Sequence, residues 1–461
     1  MASSAPTALA RGCYCRGLPA VLDVIGSREP RPSLRETGSP RDGAPTVGQA
    51  LSPAEGAPST RLESCTSNAR GARRRGRRAR GTDTLRIGLN AHLLSFGQSY
   101  RSAGISRYIR GLIAGLPGFI APDEATVFLG DRRIPPEMAQ NGLSYAFTRL
   151  PTVRPQARIL WEQSVAPLEI LGRRVRVLHS PAYVAPLATP CRSVVTVHDL
   201  GFILMPQFFK PGNRMYLSTM ARMSARRADR VIAVSESTKR DVVRILKVPA
   251  ERVEVVHNAV EPIFRPLPPE TVRAFREAHG LPERYILYVG TLEPRKQLPA
   301  LLRAYARARR DHDLPCLVVG GGKGWGYEGI FRLAEELGLK DSVVFPGFLP
   351  LADLPLWYNG AGLFAYPSRY EGFGLPVLEA MSCGTPVVTT AASSLPEIAG
   401  DAASYVQPGD VDGLAQALAS LLEDDARRAD LGRRGLARAA EFSPESMIRR
   451  TVAIYRAVGC S

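Results

Sequence analysis

The sequence contains no apolar run that approaches the roughly 18 residues needed for a membrane-spanning helix, which argues against an integral membrane protein. Cysteine is scarce and scattered. Cys13 and Cys15 lie close together, while Cys65, Cys191, Cys316, Cys383 and Cys460 stand alone, without the paired spacing of a zinc site. A reducing, cytoplasmic setting is expected from that usage. Residues 1–82 lack lysine altogether, yet their 14 arginines against six acidic residues give that segment +8 of the chain's net +17. The remaining 379 residues are therefore only mildly basic. No aromatic residue interleaves the tract Arg70-Gly-Ala-Arg-Arg-Arg-Gly-Arg-Arg-Ala-Arg80, so base stacking is missing and nucleic acid is an unfavoured partner. Low in apolar periodicity and rich in Ala, Gly, Ser, Pro and Arg, residues 1–82 are expected to form a disordered extension.

What is present from Leu85 onward is an alternation of strand and helix signals. Apolar runs at 85–89, 126–129, 175–178, 194–197, 231–234 and 253–256 read as strands, with an amphipathic helix from the Ser102–Tyr108 segment to about Leu116 and helical stretches near 157–170, 213–228 and 236–247 between them. Glu261-Pro-Ile-Phe-Arg-Pro-Leu-Pro-Pro269 interrupts the pattern with four prolines. A second series follows, with strands at 285–289, 316–319, 342–345, 363–365 and 386–389 and helices near 297–310, 327–338, 374–383, 411–423 and 426–440. Repeated β–α units imply parallel sheets covered by helices, with ligands outside the carboxyl ends of the strands. The expected organisation is α/β, with two Rossmann-like doubly wound domains facing across a cleft. Their expected bounds are 83–262 and 263–440, after the 1–82 extension. Residues 441–461 are expected to form a helix crossing back to the first domain.

The richest stretch is Tyr366 to Pro386, where an apolar strand passes through a Gly-containing loop into a short helix with Pro376 in its first turn. Glu371 lies in the loop and Glu379 about two turns into the helix, so two carboxylates flank one helix N-terminus. Free amide groups and the macrodipole suit a phosphate there, Gly372 and Gly374 permit close approach, and carboxylates suit sugar hydroxyls. Two glutamates eight residues apart around Gly-Phe-Gly-Leu-Pro resemble the signature of retaining GT-B glycosyltransferases of family 4, also called glycosyltransferase group 1. The resemblance covers about 85–458 and extends to Val289-Gly-Thr-Leu-Glu-Pro-Arg-Lys296, which is similar to the diphosphate motif of the mannosyl- and rhamnosyl-transferring branches. Thr291 departs from that pattern, since many members place Arg directly after the glycine, here Gly290. Val195-Thr-Val-His-Asp-Leu-Gly201 is similar to the His-Asp turn, and Ser102 to Tyr108 to the loop and first helix on the acceptor side. Arg158 to Gln163 and His179 to Tyr183 also resemble family segments around the acceptor cleft.

The resemblance implies a mannosyltransferase-like enzyme of the GT-B fold, retaining stereochemistry, without cofactor or metal. No Asp-x-Asp pair stands where a GT-A enzyme would hold its metal. His198 and Glu371 would be catalytic. Gly290, Thr291, Arg295, Lys296, Phe373, Gly374, Leu375 and Glu379 would bind the donor, with Glu379 on the ribose. Gly104 and Asp199 would lie on the acceptor side. The partners implied are a nucleoside-diphosphate sugar, GDP-mannose favoured over other donors, and a glycan or lipid-linked acceptor in cell-surface polysaccharide synthesis. The basic helix near 213–228 suggests peripheral contact with the inner face of the cell membrane. A nucleotide-sugar epimerase on the same architecture and a non-catalytic sugar-nucleotide-binding subunit are the alternatives. Neither glutamate receives a packing role from the sequence, so alanine at either is expected to leave stability unchanged.

Overall fold

The structure is a computed structural model that describes residues 85–97, 104–130, 134–209, 211–324 and 326–460. The expected 1–82 extension lies outside the described residues, as does the start of the Ser102–Tyr108 segment.

Two parallel sheets carry the chain. The first is built from β1 (Ile87–Asn90), β2 (Ala125–Leu129), β3 (Ser144–Phe147), β4 (Val177–Ser180), β5 (Arg192–Val197), β6 (Arg230–Ala233) and β7 (Val253–Val255). Their spatial order is β3-β2-β1-β4-β5-β6-β7, every pair parallel. The second holds β8 (Ile286–Val289), β9 (Leu317–Gly320), β10 (Val343–Gly347), β11 (Leu363–Tyr366), β12 (Val387–Thr390) and β13 (Ala403–Val406), ordered β10-β9-β8-β11-β12-β13. Both orders run outward from a first strand, then reverse. The reversal falls between β1 and β4 in one sheet and between β8 and β11 in the other, which are the places where open α/β sheets bind ligands. This is the doubly wound, two-domain architecture the sequence implies.

Central strands such as β1, β4, β8 and β11 are buried along their whole length, as expected of a parallel sheet covered on both faces. The two strands that the sequence does not announce, β3 and β13, are sheet edges that each carry an adjacent Ser-Tyr pair and are only partly buried. The helix Pro269–Ala278 was also hidden, because the prolines that break the chain before it end by supplying its first turn.

The cores differ. One continuous cluster fills the second sheet's layers, from Tyr285 and Leu301 through Phe364 and Met381 to Leu431. Three clusters serve the first. One of these is completed by the helix Pro444–Gly459, whose Met447, Ile448, Val452, Tyr455 and Val458 pack with Ile87, Leu89, Ile109 and Leu112. Among the described residues no helix is long and apolar enough to cross a membrane.

Candidate active site

The centre of the site grows from the reversal point of the second sheet. β8 runs into Gly290, Thr291 and a 3-10 turn at Pro294–Lys296, while β11 runs into Ser368 to Gly374. The two loops meet at Glu371. Its carboxylate accepts from Ser368 Oγ at 2.7 Å, Tyr366 OH at 2.9 Å, Lys296 Nζ at 3.0 Å and Arg295 Nη1 at 3.1 Å. Three of these donors meet Oε1 and Arg295 meets Oε2, so the Oε1 side of the carboxylate is fully engaged. Burial pushes the acid's pKa up, but Arg295, Lys296 and the Ser368 hydrogen bond together bring it down to about 2. Arg295 also pairs with Glu293 at 2.8 Å and donates to the Tyr370 carbonyl at 2.8 Å. Two cations thus face two carboxylates. Arg295 and Lys296 carry no surplus charge for a diphosphate in this arrangement, and the open helix end beside them remains the electropositive feature.

That end belongs to the helix Leu375–Ser382. No side chain caps its first turn, and the residue before it, Gly374, has a φ of 105° that disfavours a side chain. Phe373 is buried against His257 and Phe442, and Leu375 is half-buried against the core, so these two offer backbone rather than side chain to a ligand. Gly290 lies against the Lys296 stem, where a Cβ would meet Lys296 Cδ at 3.3 Å.

Glu379 is set deeper than the sequence suggests. Its Oε1 is bound by Arg107 of the first helix, Ile105–Gly115, and its Oε2 accepts from Tyr358 OH at 2.8 Å. Arg107 also donates through Nε to Glu261 at 2.6 Å and lies over the Phe264 ring. Both glutamates therefore have buried ionic partners, which corrects the expectation that alanine at either is harmless to the fold.

Comparison with known proteins identifies the family and the fold. The family description "Glycosyl transferases group 1" matches residues 272–438, and "Glycosyltransferase Family 4" matches residues 102–263. O-antigen chain mannosyltransferase B of Escherichia coli is 30% identical over 369 residues, covering 77% of this chain and 97% of the relative. The chain belongs to the group 1 glycosyltransferases. Serotype-specific mannosyltransferase WbdA of Escherichia coli is 33% identical over 276 residues, 58% of this chain, though the match spans only 34% of WbdA. In fold, Anabaena HepE solved in complex with UDP superimposes with a TM-score of 0.63 at 21% identity, over 81% of this chain and all of HepE.

In this glycosyltransferase the loop bearing Glu371 touches the first sheet's loops directly. A Cβ on Gly372 would lie 1.7 Å from the His198 carbonyl oxygen, so only glycine permits that approach. The Gly372 carbonyl accepts from Ser235 Oγ at 2.6 Å and Thr238 Oγ1 at 3.1 Å. Beside it Tyr370 donates to Asp241 at 2.9 Å and accepts from the Leu200 amide at 3.1 Å. Glu397 completes the contact by capping the first turn of helix Glu236–Asp241, accepting from the Glu236 and Ser237 amides at 2.8 and 3.1 Å, and pairing with His257 at 2.8 Å. No local sequence pattern pairs Ser235 with Gly372 or Ser237 with Glu397, because these partners lie more than a hundred residues apart.

His198 sits at the end of β5 between Tyr108 and Tyr183, whose rings meet its edge at 4.9 and 5.9 Å. A carbonyl can only accept, so the 2.7 Å contact with the Pro181 oxygen places the proton on Nε2 and leaves Nδ1 as an acceptor. Burial lowers the ring's pKa, outweighing the Pro181 hydrogen bond and Asp199. Asp199 itself closes a turn by accepting from the Gly201 amide at 2.9 Å. Gly104 is the exposed residue before the first helix. The structure thus gathers His198, Asp199, Arg295, Lys296, Glu371, Phe373 and Gly374 where the two domains meet, with Glu379 held one layer back by Arg107.

Proposed function

We propose that the chain is a retaining, metal-independent hexosyltransferase that moves mannose from GDP-mannose to a hydroxyl of a glycan or lipid-linked acceptor during cell-surface polysaccharide synthesis. The observation that carries this reading is the uncapped, Gly374-led helix end beside the Arg295–Lys296–Glu371 cluster at the second sheet's reversal point. A diphosphate seated there meets helix amides and the two cations, which repartner from Glu371 towards the phosphate as the donor enters. Glu379 would receive the ribose hydroxyls once Arg107 releases it. His198 would accept a hydrogen bond from the sugar through Nδ1. The glycosidic C–O bond breaks, the diphosphate leaves with the electron pair and takes the acceptor's hydroxyl proton, and the acceptor oxygen bonds to the anomeric carbon from the same face. Two mannosyltransferase relatives favour mannose, and the neighbour HepE is solved with UDP, a nucleotide of the class proposed.

The enzyme would work at the cytoplasmic membrane face. The helix Pro211–Arg227 supplies arginines and exposed Met215, and further large apolar side chains are exposed at Leu160, Leu168 and Leu171. That surface suits anionic lipid.

A panel of GDP-, UDP-, dTDP- and ADP-sugars tests the donor. GDP-mannose should raise the melting temperature most and be consumed in the presence of EDTA with an α-linked product. Stabilisation by another sugar nucleotide alone would replace the donor, and an inverted product would refute retention.

A further inference from the structure

Three parts of the chain meet at Arg107, and the charges there do not balance. The residue projects from the first helix, Ile105–Gly115, whose other face carries Tyr108, Ile109, Leu112 and Ile113 into the first sheet's core. Its Nη1 donates to Glu379 Oε1 of the second domain. Its Nε donates at 2.6 Å to Glu261, where the proline-rich passage between the domains begins. Phe264, from the same passage, lies 5.3 Å from the guanidinium and meets the Tyr358 ring edge-on at 5.9 Å, and Tyr358 OH donates back to Glu379 Oε2 at 2.8 Å. These contacts close a ring through both domains and the passage that joins them.

One cation thus serves two carboxylates of unequal depth. The Glu379 side chain is 2% exposed and that of Glu261 29%, with Arg107 between them at 11%. Arg107 and Tyr358 each hold one oxygen of Glu379, so a ribose reaches that carboxylate only by displacing one of them. Ribose hydroxyls can replace the hydrogen bonds of Arg107 but carry no charge, and a buried guanidinium left without a carboxylate is costly. Glu261 removes that cost. It keeps its bond to Nε whether or not Nη1 holds Glu379, which gives Arg107 two paired states instead of one.

We propose that Arg107 is a donor-responsive latch: without nucleotide it ties the domains by sharing its guanidinium between Glu379 and Glu261, and ribose hydroxyls arriving at Glu379 displace it onto Glu261 alone. This rests on the reading of Glu379 as the ribose carboxylate. The free energy of breaking the Arg107–Glu379 contact is subtracted from donor binding, so the tied state lowers nucleotide affinity below what the opened site would give. Release loosens the domains rather than parting them, because the contacts of Gly372 with Ser235 and Thr238, of Tyr370 with Asp241 and of Glu397 with Ser237 lie elsewhere.

The full chain is tested by calorimetry with GDP, or the nucleoside diphosphate that the donor panel selects, and with its dideoxy form, which lacks both ribose hydroxyls and leaves the latch closed. Arg107→Lys keeps the charge but loses the fork that spans two carboxylates, so the ribose form should bind about fivefold tighter and the dideoxy form within about twofold of wild type. Glu261→Gln removes the second partner and commits Arg107 to Glu379, so the ribose form should bind about fivefold more weakly, again with the dideoxy form little changed. These opposite signs separate a latch from a merely structural tie, whose loss would shift both nucleotides in the same direction in both variants. Glu261→Gln, at the more exposed partner, keeps the test readable should Arg107→Lys fail to fold. A ratio of ribose-form to dideoxy-form affinity that is the same in wild type and both variants overturns the latch. Glu379→Gln distinguishes that failure from failure of the ribose reading: a lowered ratio in this variant leaves the ribose reading standing without the latch, and an unchanged ratio overturns both.

Discussion

Glu162 and Glu371 occupy matching places in the two domains, each buried beside the strand-order reversal of its own sheet, yet their pKa values move apart, to about 7 and about 2. Burial raises both. The difference lies in the donors: among the described residues Glu371 collects two cations and two hydroxyls, whereas Glu162 has one amide and neighbours whose buried polar atoms have no partner there. Depth in the protein therefore says little about what a carboxylate does. A carboxylate met by four donors organises its neighbours, whereas one met by a single amide is left with lone pairs unmet.

The strongest way to break the comparison is Glu371→Ala. It leaves Arg295 and Lys296 buried without their common partner, so unfolding in denaturant should show a loss of about 3–5 kcal/mol, together with loss of transfer. Retention of wild-type stability would mean that this carboxylate is not an organiser.

Acid titration should separate the domains next. The lowered pKa of Glu371 contributes stability that is full above about 4.5 and is lost as pH falls towards 2, about 3 kcal/mol by linkage. His92 and His179, buried and lowered to about 3, resist protonation that the unfolded chain accepts, so their contribution starts to fall earlier, below about 6.5. Hydrogen exchange followed against pH should show the first sheet loosening before the second.

Glu162→Gln sharpens the contrast with the opposite sign. A carboxyl whose folded pKa is raised costs stability progressively from pH 4.5 to about 7, so the glutamine variant should match the wild type at pH 4 and exceed it by about 1–3 kcal/mol at pH 8. Equal stability at both pH values would remove the distinction between the two glutamates.

The smallest expected effect is that of Tyr366→Phe, which takes one of the four donors from Glu371. About 1 kcal/mol should be lost in thermal or chemical unfolding, because Ser368 and the cations remain.

Much of this was legible in residues. The apolar runs of β1, β4, β8 and β11 mark the two sheets, and the Glu371–Glu379 spacing with its glycines marks the helix end. The edge strands β3 and β13 escaped because half of each faces outward and reads as polar loop. The partners of the site residues were hidden for a different reason: Arg107 meets Glu379 across 272 positions of chain, and Tyr370 meets Asp241 across 129. No local pattern encodes such pairs. The same holds for the π-helical turn Trp161–Val165, whose Trp161 and Glu162 look like any helical residues until their hydrogen bonds are counted.

The chain passes between the domains twice, and the two passages touch where the Val260 amide donates to the Phe442 carbonyl at 3.4 Å. Because Met447, Val452 and Tyr455 belong to the first sheet's core, that core contains residues the ribosome adds only after the entire second sheet has been made. Vectorial synthesis, which ordinarily lets an N-terminal domain finish first, is inverted here. The second domain can complete its single core while the first still waits, its surface under Pro444–Gly459 open to chaperones. A premature stop near residue 440 would thus damage the domain farthest from it in sequence.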